Sequence, residues 1–213
     1  MKISLIYPSR GRPDKSFQTY KEWVAKSGCD EIEVILSLDV DDPLLETYKI
    51  LYDETDVNVI VNQNKSVVEA TNRAAEISTG GILIYLSDDF ICPENWAVSI
   101  LSLMPDEMML IKVDDCLQKF EAPVLTIPIM NRELYHHLGY FWHPDYLSMH
   151  VDVDLFHTLK KINAIKLCPQ LKFPHEHPSN GKAATDETYR RSAANWNQGL
   201  KVLERRKATN FAV

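Results

Sequence analysis

The sequence predicts an α/β domain with a mostly parallel central sheet flanked by helices on both faces. Three observations carry this expectation. Short apolar runs alternate with amphipathic segments through the first half of the chain. Their spacing leaves room for a crossover helix between successive strands. Acidic residues stand where several of the runs end, the side on which open α/β sheets bind ligands.

Residues 3–7 read as the first strand, and the N-terminal apolar stretch is too short for a secretory leader. A Ser-Arg-Gly-Arg-Pro loop leads to a helix over 13–26 with Phe17, Tyr20 and Val24 on one face. A second strand, 33–38, ends in Asp39-Val40-Asp41-Asp42-Pro43. Residues 44–52 have a helical pattern, 57–61 form a third strand, and 62–65 a polar loop. Ser66 followed three residues later by Glu69 has the form of a capping box. The helix it opens runs to Ser78 and is ended by Gly80-Gly81. The strand 82–86 stops on Asp88 and Asp89, and a helix over 93–103 and a strand over 108–113 complete the regular half.

The second half predicts a strand over 124–129 and a short helix over 132–138 ended by Gly139. An aromatic and His-rich stretch, 140–146, precedes a helix over 152–162 with Leu155, Phe156 and Leu159 inward. A short strand over 164–167, the loop Pro174-His175-Glu176-His177-Pro178 and a charged helix over 186–207, interrupted near 195–199, follow. No internal repeat or linker divides the chain, so a single domain over 1–213 is expected.

Composition narrows the function classes. The chain is 45% hydrophobic and 25% charged, values of a globular domain rather than a disordered one. Thirty acids against 23 basic residues give a net charge of −7, which argues against a nonspecific nucleic-acid binder. An anionic substrate must then be received locally, by a metal, a few Arg/Lys side chains or backbone N–H groups. Cys29, Cys92, Cys116 and Cys168 are scattered, so reduced thiols are expected and, with no stretch approaching a membrane span, a cytoplasmic setting.

Three acid clusters terminate elements: Asp39/Asp41/Asp42, Asp88/Asp89 and Asp152/Asp154. Each alone could merely satisfy a helix N-terminus, and Asp88/Asp89 could cap the helix beginning near Pro93. His175 and His177, two apart in an extended loop, would point the same way. Adjacent carboxylates repel when partly desolvated, so a positive partner is expected beside Asp88 and Asp89, and a hard divalent cation carrying a phosphate is one.

These residues together resemble a GT-A-fold glycosyltransferase, closest in pattern to the family 2-type nucleotide-sugar enzymes, over roughly residues 3–180. The opening strand ends in Tyr7-Pro8-Ser9-Arg10, like the family's first strand. Asn72, Gly80 eight residues later, the next strand and then Ser87-Asp88-Asp89 match the order of the family's Asn-bearing helix, glycine and Asp-x-Asp motif. Ser87 stands at the motif's first position, and Thr71 where an Arg usually precedes the helix Asn.

The resemblance implies a GT-A-like (Rossmann-like) domain with a nucleotide-binding half over about 1–113, an acceptor-side half over about 114–185 and a helical tail. It implies metal-dependent transfer of a sugar from a UDP- or GDP-type donor to an acceptor hydroxyl, with inversion. Asp39 would contact the base, Asp88 the ribose and Asp89 a Mn²⁺ or Mg²⁺ ion, with His175 or His177 as a further ligand. Pro8, Ser9, Arg10, Arg12, Lys65 and Asn72 would complete the donor site, and Asp152 or Asp154 would be the base. A mixed carboxylate and imidazole set suits Mn²⁺ rather than Mg²⁺. Tyr140, Trp142 and Tyr146 could stack on an acceptor sugar. Two other functions stay open at this level. One is a sugar-nucleotide nucleotidyltransferase or phosphohydrolase, although the loop at Gly11 lacks the glycines that cradle a triphosphate. The other is a catalytically silent nucleotide-sugar or glycan-binding module.

Overall fold

The computed structural model describes residues 1–212, and among them seven strands form one sheet. In chain order these are β1 (Ile3–Pro8), β2 (Ile32–Asp39), β3 (Asn58–Asn62), β4 (Ile82–Tyr85), β5 (Leu110–Asp114), β6 (Ile129–Asn131) and β7 (Ile165–Lys172). The helices are α1 (Pro13–Ala25), α2 (Leu45–Tyr52), α3 (Val67–Ile77), α4 (Trp96–Leu103), α5 (Arg132–Leu138), α6 (Val151–Lys161), α7 (Glu187–Ala194) and α8 (Trp196–Ala208). The strand order is β3-β2-β1-β4-β6-β5-β7, and only β6 runs antiparallel to its neighbours. No helix among the described residues is long and apolar enough to cross a membrane.

Side-chain alternation along the strands splits the core in two. Ile3, Leu5 and Tyr7 of β1 face a layer completed by Trp23 of α1, Tyr48 of α2 and Trp96 of α4. Ile6 points the other way, into a layer built from Val68 of α3, Leu134 of α5, Leu155 and Leu159 of α6 and Leu203 of α8. Both faces of β1, β2 and β4 are therefore buried, as continuous apolar runs require of central parallel strands.

Four expectations are corrected. The fourth helix starts at Trp96, not Pro93, because Asn95 adopts a left-handed conformation (φ 55°) just before it. Asp88 and Asp89 are consequently not its caps. The strand expected over 124–129 is displaced to β6 at Ile129–Asn131, since Pro128 has no N–H to give a ladder. At the end of α3, the residue after Ile77 is extended Ser78 rather than a left-handed glycine. Gly80 instead permits close packing, for a Cβ there would lie 2.7 Å from the Ser4 backbone nitrogen. Finally, β7 runs on through Pro169, which an edge strand tolerates, and its register against β5 shifts between Val113 and Asp114.

Candidate functional site

The carboxyl ends of β1, β2 and β4 open into one cavity of about 340 Å³, within the range of small-molecule sites. β4 delivers Ser87, Asp88 and Asp89 to its floor. The acid turn is held from beneath: the Trp23 indole donates to the Phe90 carbonyl at 3.2 Å, and the Trp96 indole donates to the Trp23 carbonyl at 2.8 Å. A second chain segment is laid against it. Beyond β7, Phe173 and His175 donate to the carbonyls of Asp114 and Asp115, and Glu176 N–H donates to the Asp89 carbonyl at 2.7 Å. The rings of Phe90 and His175 stack with centroids 4.3 Å apart.

This ladder places His175 Nε2 3.1 Å from Asp89 Oδ2. Asp89 is only 7% exposed. Burial alone would raise its pKa, but the His175 hydrogen bond and charge outweigh that and hold the carboxyl well below the usual carboxylate range. The Tyr189 hydroxyl also donates to Asp89 Oδ2, at 3.0 Å. Asp89 Oδ1 and His175 Nδ1 are buried without any hydrogen-bond partner. The unpartnered Asp89 Oδ1 is what a divalent cation would satisfy, and His175 Nε2, 3.1 Å from the same carboxylate, is an imidazole nitrogen within reach of that ion, so the residues fit one. Among the described residues no group of three or more His, Cys, Asp or Glu side chains forms a metal cage, so the remaining ligands would come from substrate oxygens and water.

Asp88 faces the other way. Its Oδ1 accepts from Arg12 Nη1 at 2.7 Å and lies 3.5 Å from Lys15 Nζ. Burial pushes its pKa up, against the pull of both cations. Arg12 also forms a two-pronged pair with Asp186, both bonds 2.7 Å long, and its guanidinium lies 4.6 Å from the centre of the Tyr189 ring. Asp39, at the end of β2, accepts from Arg10 at 2.8 Å and from Asn64 at 2.9 Å. Gly11 N–H donates to Asp42 rather than pointing into the cavity.

The cavity brings together Pro8, Ser9, Arg10, Arg12, Asp39, Lys65, Asp88, Asp89, Trp142, Asp152, His175 and His177, twelve of the sixteen residues singled out in the sequence. His177 borders it while its Nδ1 accepts from Ser179 N–H at the start of a short 3-10 turn. Asp152 sits in the first turn of α6 with its pKa raised by burial.

Four residues lie elsewhere. Asp154 is 1% exposed and locked to Arg206 at 2.9 Å, to the Tyr146 hydroxyl at 3.0 Å and to Thr158, so it cannot reach an acceptor. Helical geometry explains the split, because residues two apart on a helix face different directions. Tyr146 is buried in that same cluster and is not a free stacking surface. Asn72 clamps a loop: its Oδ1 accepts from Phe141 and Trp142 N–H, and its Nδ2 donates to the Trp142 carbonyl. Tyr140 lines a separate space between α3 and α5.

The C-terminal tail contributes residues the sequence reading did not single out. Asp186 caps α7, its side chain accepting from Tyr189 N–H, and Thr188 donates to the Arg10 carbonyl at 3.3 Å. The cap was visible as an acid at a helix start. Nothing in the sequence signals its contact with Arg12, 174 positions away.

No family model matches the chain, and no curated protein sequence does. Solved structures do. A mannosyltransferase from Pyrobaculum calidifontis, solved with GDP-Man and Mn²⁺, superposes with TM-score 0.68 at 16% identity over 85% of this chain and 58% of its own. TarS from S. aureus gives TM-score 0.57 at 17% identity over 81% of this chain and 36% of its own. Glucosyl-3-phosphoglycerate synthase from Mycobacterium tuberculosis, with Mn²⁺ and UDP-Glc, gives 0.58 at 18% identity over 83% and 71%. The chain thus spans little more than half of the mannosyltransferase and about a third of TarS. Its seven-stranded sheet has the GT-A fold, the architecture of these nucleotide-sugar glycosyltransferases.

Proposed function

We propose that the chain is a metal-dependent glycosyltransferase that moves a sugar from a UDP- or GDP-type donor to an acceptor hydroxyl with inversion. The observation that carries this is the Asp89–His175 pair, with the unpartnered Asp89 Oδ1, in a cavity that also holds Arg12, Asp39 and Asp152. The structural neighbours solved with Mn²⁺ and GDP-Man or UDP-Glc support the metal and the nucleotide-sugar donor in this reading.

Asp89 and His175 would hold Mn²⁺, which supplies Lewis-acid stabilisation of the diphosphate charge. Asp39 would receive the nucleoside, held in orientation by Arg10 and Asn64. Arg12 would present its guanidinium to a phosphate. Asp152 would take the proton of the acceptor hydroxyl as that oxygen attacks the anomeric carbon and the nucleotide diphosphate departs. Its burial-raised pKa makes it a stronger base than an exposed carboxylate. Lys65 would line the donor's entrance and Trp142 the acceptor side. Gly11, engaged by Asp42, does not offer its N–H to a triphosphate, which weighs against a nucleotidyltransferase.

The test is a thermal-shift screen of nucleoside diphosphates and nucleotide sugars with and without Mn²⁺, followed by turnover with the best donor. Stabilisation that requires Mn²⁺ and disappears in Asp89→Ala is expected. Asp152→Asn keeps the nucleotide shift while turnover falls by about 10²–10⁴-fold, the usual contribution of a general base. A chain stabilised by no nucleoside diphosphate in Mn²⁺ rules the assignment out.

A further inference from the structure

A second concave space of about 700 Å³ lies beside the donor cavity, between α3, α5 and the loop over 139–147. Lys65, Ser66, Val68 and Leu147 line both spaces, so the two adjoin across a shared wall. Asp152 stands on the cavity side of that wall, five residues past Leu147.

The chemistry of the second space is specific. Tyr135 and Tyr140 are half-buried and present ring surface, with His136 and Pro144 beside them. Its cations, Lys65 and Arg73, are matched by Glu69 and Glu76, and Arg73 is paired with Glu69 at 2.7 Å. A groove with no net charge does not favour a polyanion over a neutral ligand. Ring faces set among hydrogen-bonding side chains suit a neutral polyol, whose apolar C–H faces stack while its hydroxyls find partners. The wall is preformed as well, because Asn72 fixes the loop through both Phe141 and Trp142. A preformed site binds without the cost of ordering that loop.

We propose that this groove holds the distal sugar units of a neutral oligosaccharide acceptor whose reacting hydroxyl reaches Asp152 over Leu147. The proposal rests on the donor-site reading of the neighbouring cavity.

Arrays of printed neutral and anionic glycans, probed with the wild-type chain and two variants, test it. Wild type is expected to retain neutral oligosaccharides in preference to anionic ones. Glu76→Trp fills the groove from an exposed helix position and spares the core; Tyr135→Ala removes a ring face. Tyr135→Ala is expected to weaken retention roughly tenfold, the scale of a lost aromatic contact, and Glu76→Trp to weaken it at least as much by taking up the space the sugar units need. Absence of any retained neutral oligosaccharide, a preference for anionic glycans, or retention unchanged in Glu76→Trp overturns the proposal. The Mn²⁺-dependent nucleotide shift on the same wild-type preparation separates the two readings. A shift without glycan retention rejects the groove alone, whereas retention without a shift rejects the donor site.

Discussion

Asp152 and Asp154 sit two residues apart on one helix and have different physical fates. Asp152 borders the cavity, while Asp154 is enclosed with Arg206, Tyr146 and Thr158. Removing one member of such a buried pair strands the other charge, which typically costs about 3–5 kcal/mol. Asp154→Ala is therefore expected to lower unfolding free energy in urea by about that amount while leaving turnover per folded molecule intact. Asp154→Leu combined with Arg206→Met, which removes both charges, is expected to recover most of the loss. A fall in turnover with stability unchanged would show that the two acids had been assigned the wrong way round.

At the scale of elements, Glu33 is the fastening that joins β1, β2 and the turn into β4. It accepts from Ser4 Oγ, Thr79 N–H, Thr79 Oγ1 and Lys2 Nζ. Burial acts to raise its pKa, but these donors outweigh it and bring the carboxyl down from 4.5 to about 2. A depressed folded-state pKa stabilises above the unfolded value and loses that contribution as pH falls towards the folded one. Wild type should thus lose up to about 3 kcal/mol relative to Glu33→Gln between pH 4.5 and 2. Parallel acid titrations of stability would contradict this. The elements differ in how far the sequence revealed them. α3 was legible because Ser66 caps it locally, its Oγ accepting from Glu69 N–H, although Glu69 reaches back to Lys65 N–H rather than to the cap itself. α5 was legible from Gly139, whose left-handed φ of 76° ends it. β6 was not, because an antiparallel strand of three residues inserted between β4 and β5 is set by pairing across the sheet, not by local pattern. The acid positions were readable as strand ends. Which acids turn into the cavity depended on partners such as Arg206 and Arg12, whose positions only the folded chain defines.

Across the whole molecule, the C-terminal helices close the site that the N-terminal strands open. Arg12, in the loop after β1, lies between Asp88 at the end of β4 and Asp186 at the start of α7. α8 secures the far side: Gln198 donates to the Asp145 carbonyl, Arg205 pairs with Asp145, and Gly199 comes so near Met149 that a Cβ would lie 2.2 Å from its carbonyl oxygen. Asp186 therefore occupies on Arg12 the kind of contact that a donor phosphate would make, two parallel N–H to oxygen bonds. Its side chain is 43% exposed, so solvent screens the pair and the expected coupling is modest, on the order of 1 kcal/mol. A double-mutant cycle with Arg12→Met and Asp186→Asn should show this coupling in the nucleotide-free chain. With saturating nucleoside diphosphate and Mn²⁺ the coupling should shrink, because a phosphate competes for the same guanidinium edge. Asp186→Asn alone should then tighten nucleotide binding, since the acid no longer has to be displaced. Equal coupling in the two states would mean that Arg12 is a structural tie between the chain's two ends and has no part in receiving the donor.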